Sequence, residues 1–298
     1  MSRNTRPKIV NVSDYDVDSD PASRQKELAG WSQDRVAEAR AFVAGAGALG
    51  NELVKNLVLL GFRKIVVADF DEVVYSNLSR CIFFRKDDAH EKKPKAVSLA
   101  ERAKELDPYG YVEIVPIVDE LSVFGIKHDH EIFEQVDLIF GALDNIAGRI
   151  YLAIASQYNK IPYIDGGMWG AMGNVFVSVP PDSPCYACTL SESSWVNSLK
   201  RLQCSAKAFT DDPRIVPSLP TTASIIAAIQ VQEALKIIHG DIQHNSALGT
   251  VSKGKMISIN LVNNDLMVYT VQKREDCPVC GFIEGGLNAS VTMASEKA

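Results

Sequence analysis

The chain has 298 residues and a mass of 32.6 kDa, enough to bury the core of one large α/β domain or of one domain with a small appendage. Its hydrophobic fraction of 46% and charged fraction of 23% are ordinary for a soluble globular protein. A net charge of -6 argues against a general nucleic-acid binder and against an anionic membrane surface, so no DNA or membrane partner is expected. No apolar run approaches the length that spans a bilayer, and residues 1–20 lack the layout of a signal peptide. The expected compartment is the cytoplasm, where thiols stay reduced and closely paired cysteines read as metal ligands rather than disulfides.

Residues 1–22 carry no apolar periodicity and are expected to be disordered. The pattern over 25–39 predicts a helix that delivers the chain into an apolar strand at 41–44. A glycine-rich turn follows, then a helix with Leu49, Leu53, Leu57 and Leu60 on one stripe, ended by Gly61 before a buried strand at 65–68. Pro94 marks the start of a helix over 95–106. Strands are expected at 111–118 and 138–140, a helix at 147–158 and a strand at 162–164. This alternation predicts a doubly wound, mostly parallel sheet of the Rossmann-like kind. After Gly173 the texture changes: residues 174–179 alternate like an antiparallel strand, and 189–219 read as a long loop, functional or mobile. A helix over 225–239 and a hairpin of 255–261 and 266–272 around Asn263-Asn264 complete a C-terminal antiparallel extension, and the tail at 286–298 is expected to be disordered.

Gly45-Ala-Gly47-Ala-Leu-Gly50 follows a strand and opens a helix. Gly45 permits the tight turn, Gly47 lets the backbone approach a phosphate, and Gly50 lets helix and strand pack closely. The helix N-terminus offers free N–H groups to an anion, and Asp69, at the end of the second strand, is placed to accept hydrogen bonds from ribose hydroxyls. Alone the motif says only dinucleotide or adenosine phosphate; a glycine turn without ligand and a dehydrogenase both remain open.

The next motifs are more specific. Asp69-Phe-Asp71-Glu-Val-Val-Tyr-Ser-Asn77-Leu78-Ser-Arg80, then Lys93-Pro94-Lys95, Leu143-Asp144-Asn145 and the pairs Cys185-Tyr-Ala-Cys188 and Cys277-Pro-Val-Cys280 come in one order. Over about residues 22–282 the chain resembles the ThiF/MoeB/HesA family of ubiquitin-activating-type adenylyltransferases. The resemblance implies an adenylation domain over 23–285 that uses ATP and Mg²⁺. Gly45, Gly47, Gly50, Asp69, Asp71, Asn77, Arg80, Lys95, Asp144 and Asn145 would surround the nucleotide. Arg80, Lys95 and Asp144 would be catalytic, with Asp144 holding magnesium. Arg24, in an Arg-Gln pair, would reach a partner's nucleotide across a homodimer. Where relatives have glutamine after the arginine, this chain has Cys81.

The residue types suit that chemistry. Adenylating a carboxylate requires an α-phosphate held and neutralised while pyrophosphate leaves, mainly by positioning and electrostatics. Arg80 can fork onto phosphate oxygens, Lys95 can meet them as a point charge, Asn77 can donate an amide N–H, and Asp144 can hold Mg²⁺. Each has a plainer reading: Arg80 and Lys95 as surface charges, Asn77 as a turn residue, Asp71 as a loop carboxylate and Asp144-Asn145 as a helix cap.

Cys185, Cys188, Cys277 and Cys280 make a tetrathiolate set that favours a closed, structural zinc site if the fold unites them, against redox or simply buried thiols. Cys204, in the long loop near Lys200, Arg201 and Lys207, is either a nucleophile that accepts the activated carboxylate as a thioester or an incidental loop cysteine. The expected activity is adenylation of the C-terminal glycine carboxylate of a ubiquitin-like or sulfur-carrier protein, with thioester formation or sulfur transfer to follow. The competing readings are the same chemistry on a peptide or a tRNA nucleoside, a non-catalytic scaffold subunit, and an NAD-dependent oxidoreductase.

Overall fold

Runs of small and β-branched residues without polar interruption, such as Ala41 to Ala44 and Ile65 to Ala68, can only be strands covered on both faces. The computed structural model describes residues 20–121, 129–191, 193–194, 217–240 and 248–281. In chain order the elements are α1 (Ser23–Lys26), α2 (Gln33–Glu38), β1 (Arg40–Ala44), α3 (Ala48–Leu60), β2 (Lys64–Ala68), α4 (Lys86–His90), α5 (Lys95–Glu105) and β3 (Glu113–Ile117). They continue as α6 (Asp129–Phe133), β4 (Leu138–Gly141), α7 (Ile146–Asn159), β5 (Tyr163–Trp169), β6 (Met172–Ser178), α8 (Pro220–His239), β7 (Lys255–Asn260) and β8 (Asp265–Thr270).

All eight strands form one sheet in the order β3-β2-β1-β4-β5-β6-β7-β8. The first five are parallel, and β6, β7 and β8 are antiparallel additions. Two cores flank the sheet: Leu53, Leu57, Leu99 and Ile226 pack on one face, and Phe133, Tyr151, Leu152 and the four paired cysteines on the other. At the parallel end, Arg40 ties the starts of β1 and β4 together, donating from its amide, Nε and Nη2 to the Asp137 carboxylate at 2.8–2.9 Å.

Three expected elements are corrected. The helix over 25–39 is two short helices, because Gly30 takes φ +83° in a turn between them. The helix expected from 225 begins at Pro220, whose fixed φ suits the first turn; Thr222 there is buried and its hydroxyl donates to the Gly170 carbonyl at 2.8 Å. The strand expected over 111–118 is confined to 113–117, because Asp107 takes the amides of Tyr111 and Val112 into a turn, both at 2.7 Å. The readings for residues 1–19, for the middle of the long loop and for the tail lie outside the described residues.

Candidate active site

From β1 the chain winds outward through β2 and β3, and from β4 it winds the other way to β5. Where winding reverses, the loops leaving neighbouring strands diverge and open a crevice at their carboxyl ends. A cleft of ≈ 170 Å³ lies there, lined by Gly47, Asn77, Arg80, Lys95 and Asp144 of the sequence-predicted set. Arg149, Gly166, Gly167, Met168 and Ser218 line it as well. Gly45, Gly50, Asp69, Asp71 and Asn145 are not among its lining residues.

The glycine turn is held from behind. Gly45 has φ +101°, and a Cβ on it would meet the Ala142 carbonyl oxygen at 2.6 Å. A Cβ on Gly50 would fall 1.9 Å from the Gly45 oxygen, so α3 packs on β1 only without a side chain there. Gly47 has nothing within 4 Å of its missing Cβ: its open side faces the cleft. Asp69 accepts from the Ala46 amide at 2.6 Å and from the Asp71 amide at 2.8 Å, so in this structure its carboxylate props the turn. Burial pushes the Asp69 carboxyl above its ordinary range, with Lys95 pulling the other way. Asn51, fully buried, donates to the Ala46 and Gly47 carbonyls and accepts from the Phe83 amide, joining the turn to the segment just after Arg80.

Lys95 is aimed by Asp71: its Nζ lies 2.6 Å from the Asp71 carboxylate, and its amide donates to the Asp71 carbonyl at 2.8 Å. Arg80 donates to the Ser76 carbonyl. Asn77 is buried with its Oδ1 accepting from the Val74 amide at 3.0 Å, which leaves its amide nitrogen as the donor for a ligand. Asp144 is exposed in the cleft and makes no ion pair among the described residues, a carboxylate that fits a hydrated Mg²⁺. Asn145 takes the capping reading, its Oδ1 accepting from the Gly148 amide at 2.7 Å at the start of α7. Cys81 is buried, and burial pushes its thiol up to about 11; it is a packing residue. Arg24 lies exposed in α1, outside the cleft lining, and Cys204 lies outside the described residues.

Away from the cleft, the fold unites the two cysteine pairs. All four Sγ atoms lie within 4.8 Å of one another and all four residues are buried, with Cys185–Cys277 at 3.6 Å and Cys188–Cys280 at 3.4 Å. Sulfurs on a tetrahedral zinc with bonds of about 2.3 Å stand about 3.8 Å apart, so the cluster fits that ion. Shared hydrogen bonds within the cluster pull the Cys188 and Cys277 thiols down and push those of Cys185 and Cys280 up, so the four sulfurs titrate as one group.

Two contributors escaped the sequence reading, Asn51 and Arg149. Both are polar residues on buried helix faces, and that placement is the signal that marks them. Together Arg80, Lys95, Asp144 and the glycine turn meet in one cleft, an arrangement that can receive a polyanion.

Comparison with known proteins points the same way. The ThiF family model matches residues 22–279. The SAMP-activating enzyme E1 of Haloferax volcanii is 28% identical over 88% of this chain and 87% of its own length. The SUMO-activating enzyme subunit uba-2 of Caenorhabditis elegans is 36% identical over 52% of this chain, but the match spans only 26% of that protein. A yeast ubiquitin-activating enzyme E1-like protein is likewise matched over 24% of its length. Among solved structures, E. coli MccB with ATP superposes with a TM-score of 0.68 at 18% identity over 89% of this chain and 75% of that one, which shows the shared fold. With its motifs in order from Arg24 to Cys280 and a family match over nearly the whole described fold, the chain belongs to the ThiF family.

Proposed function

We propose that this chain adenylates the C-terminal glycine carboxylate of a ubiquitin-like or sulfur-carrier protein at the expense of ATP. The observation that carries the reading is the cleft at the switch point, where Gly47, Asn77, Arg80, Lys95 and Asp144 converge on one volume. The Haloferax SAMP-activating enzyme and the Bacillus subtilis sulfur carrier protein ThiS adenylyltransferase support the carrier class. In this reading the α3 N-terminus and Gly47 receive phosphate oxygens, Arg80 and Lys95 neutralise them, and Asn77 donates to them. A substrate carboxylate attacks the α-phosphorus; its new C–O–P bond forms as the bond to pyrophosphate breaks. Asp144 would hold Mg²⁺, which when bound neutralises charge on the leaving pyrophosphate.

The four cysteines would hold structural zinc, and the active form would be a homodimer in which Arg24 serves the partner's cleft. ATP–pyrophosphate exchange tests the reading: it should appear only with a carrier ending in Gly-Gly. Exchange with a peptide but no carrier would move the substrate to the peptide class, and no exchange with either would remove adenylation. Cys204→Ala should leave exchange intact and abolish a reducible adduct with the carrier; a persisting adduct moves the nucleophile elsewhere.

A further inference from the structure

We infer that Arg149 is a positioning residue that braces the catalytic acid Asp144 against the cysteine clamp; this rests on the adenylation reading above. Arg149 stands in the first turn of α7 and lines the cleft, yet its guanidinium is committed to the protein. Nε and Nη2 both donate to the Leu143 carbonyl, at 3.0 and 2.7 Å; Nη2 also donates to the Gly166 carbonyl at 3.2 Å. Nη1 donates to Asp165 Oδ2 at 3.2 Å, and the other Asp165 oxygen accepts from the Tyr163 hydroxyl at 2.6 Å. Asp165 is 2% exposed, and burial opposes the Arg149 charge while Asp165 restores it, so each charge offsets the burial of the other.

The Leu143 carbonyl belongs to the peptide plane that begins Asp144. Holding that oxygen with two donors sets the direction in which Asp144 leaves β4, while the bond to Gly166 ties the same turn to the middle of β5. The other side of the guanidinium lies over the Tyr186 ring, 5.7 Å from its centroid. Tyr186 sits between Cys185 and Cys188 and is buried against the same core as the clamp. A chain of contacts therefore runs from the four thiols through Tyr186 and Arg149 to the Leu143–Asp144 peptide. Only a planar fork spans these acceptors together; a lysine ammonium reaches one or two of them.

The test is titration of Mg²⁺ into the full-length protein with a non-hydrolysable ATP analogue, with folding followed by circular dichroism. Arg149→Lys should weaken the apparent Mg²⁺ affinity about tenfold, as supporting residues behind a metal ligand do, while metal-free analogue binding stays within about twofold. Tyr186→Leu, which leaves the Arg149–Asp165 pair in place, should shift Mg²⁺ affinity in the same direction by less. In an Asp144→Ala background neither change should have a further effect on Mg²⁺ dependence. An unchanged Mg²⁺ titration in folded Arg149→Lys, or in Tyr186→Leu if the first variant does not fold, would overturn the brace. A wild type that binds the analogue with no Mg²⁺ dependence would instead remove the magnesium assignment to Asp144, and the brace with it.

Discussion

The two halves of the sheet solve different problems with the same backbone. The parallel half, β3 to β5, is apolar and covered on both faces over its central strands, and its carboxyl edge carries the cleft. The antiparallel half thins outward: β6 and β7 are half covered, and all six residues of β8 are exposed, among them Leu266 at 61% and Met267 at 60%. In the first half burial fixes loops to a tolerance that phosphate chemistry needs. In the second the apolar core reaches β6 and β7 and stops short of β8, and the four clustered cysteines lie beside it. Core and candidate cleft thus share the parallel half, while the sheet thins towards its antiparallel edge.

That contrast can be broken most sharply at the cleft. Asp144→Ala should lower carrier-dependent exchange by about 10²–10³-fold while the melting temperature stays put, because the side chain is exposed and makes no ion pair among the described residues. Near-normal exchange would place the metal ligand elsewhere. Cys280→Ser attacks the other half. It should cost several kcal/mol of C-terminal stability, about the scale of losing one ligand from a structural metal site, and raise amide exchange in β7 and β8 while β1 and β4 stay protected. Uniform loss of protection in all eight strands would show the halves to be one cooperative unit.

The parallel end offers a smaller effect. Hydrogen bonding from Arg40 holds the Asp137 carboxyl below its ordinary 3.8. Its contribution to stability is therefore present above that value and is lost as pH falls through the folded-state pKa. Asp137→Asn should flatten the acid side of the stability curve below about pH 4 and leave neutral-pH exchange activity unchanged; an unaltered acid limb would deny the tie. Smallest of all, Met267→Ser on β8 should change stability by no more than about 0.5 kcal/mol in chemical denaturation.

Most of the parallel half was legible before any coordinates, because uninterrupted apolar strands and a glycine turn between strand and helix leave few alternatives. Gly47, Asn77, Arg80, Lys95 and Asp144 were readable as a set, and they share one cleft. Asp69 and Asn145, expected from the sequence beside the nucleotide, also serve the backbone, through both carboxylate oxygens of Asp69 and the Asn145 side-chain carbonyl. Such backbone roles depend on the turn geometry and cannot be read from the residue letter alone. The early start of α8 at Pro220 escaped because its first turn is polar and shows no apolar period. Arg149 escaped because a lone arginine among the small and apolar residues that open α7 looks like a surface charge until Asp165 arrives from β5.

The exposed outer strand also governs how the protein behaves as a solute. Among the described residues β8 presents an unpaired backbone edge, with apolar side chains on both of its faces, the arrangement that templates strand-to-strand association between molecules. A net charge of -6 opposes such contacts in dilute buffer, and added salt shortens the range of that repulsion to about 3 Å at 1 M. Concentrated, high-ionic-strength samples are where this molecule will cluster, and an acidic residue placed on that strand is the change that would keep it dispersed.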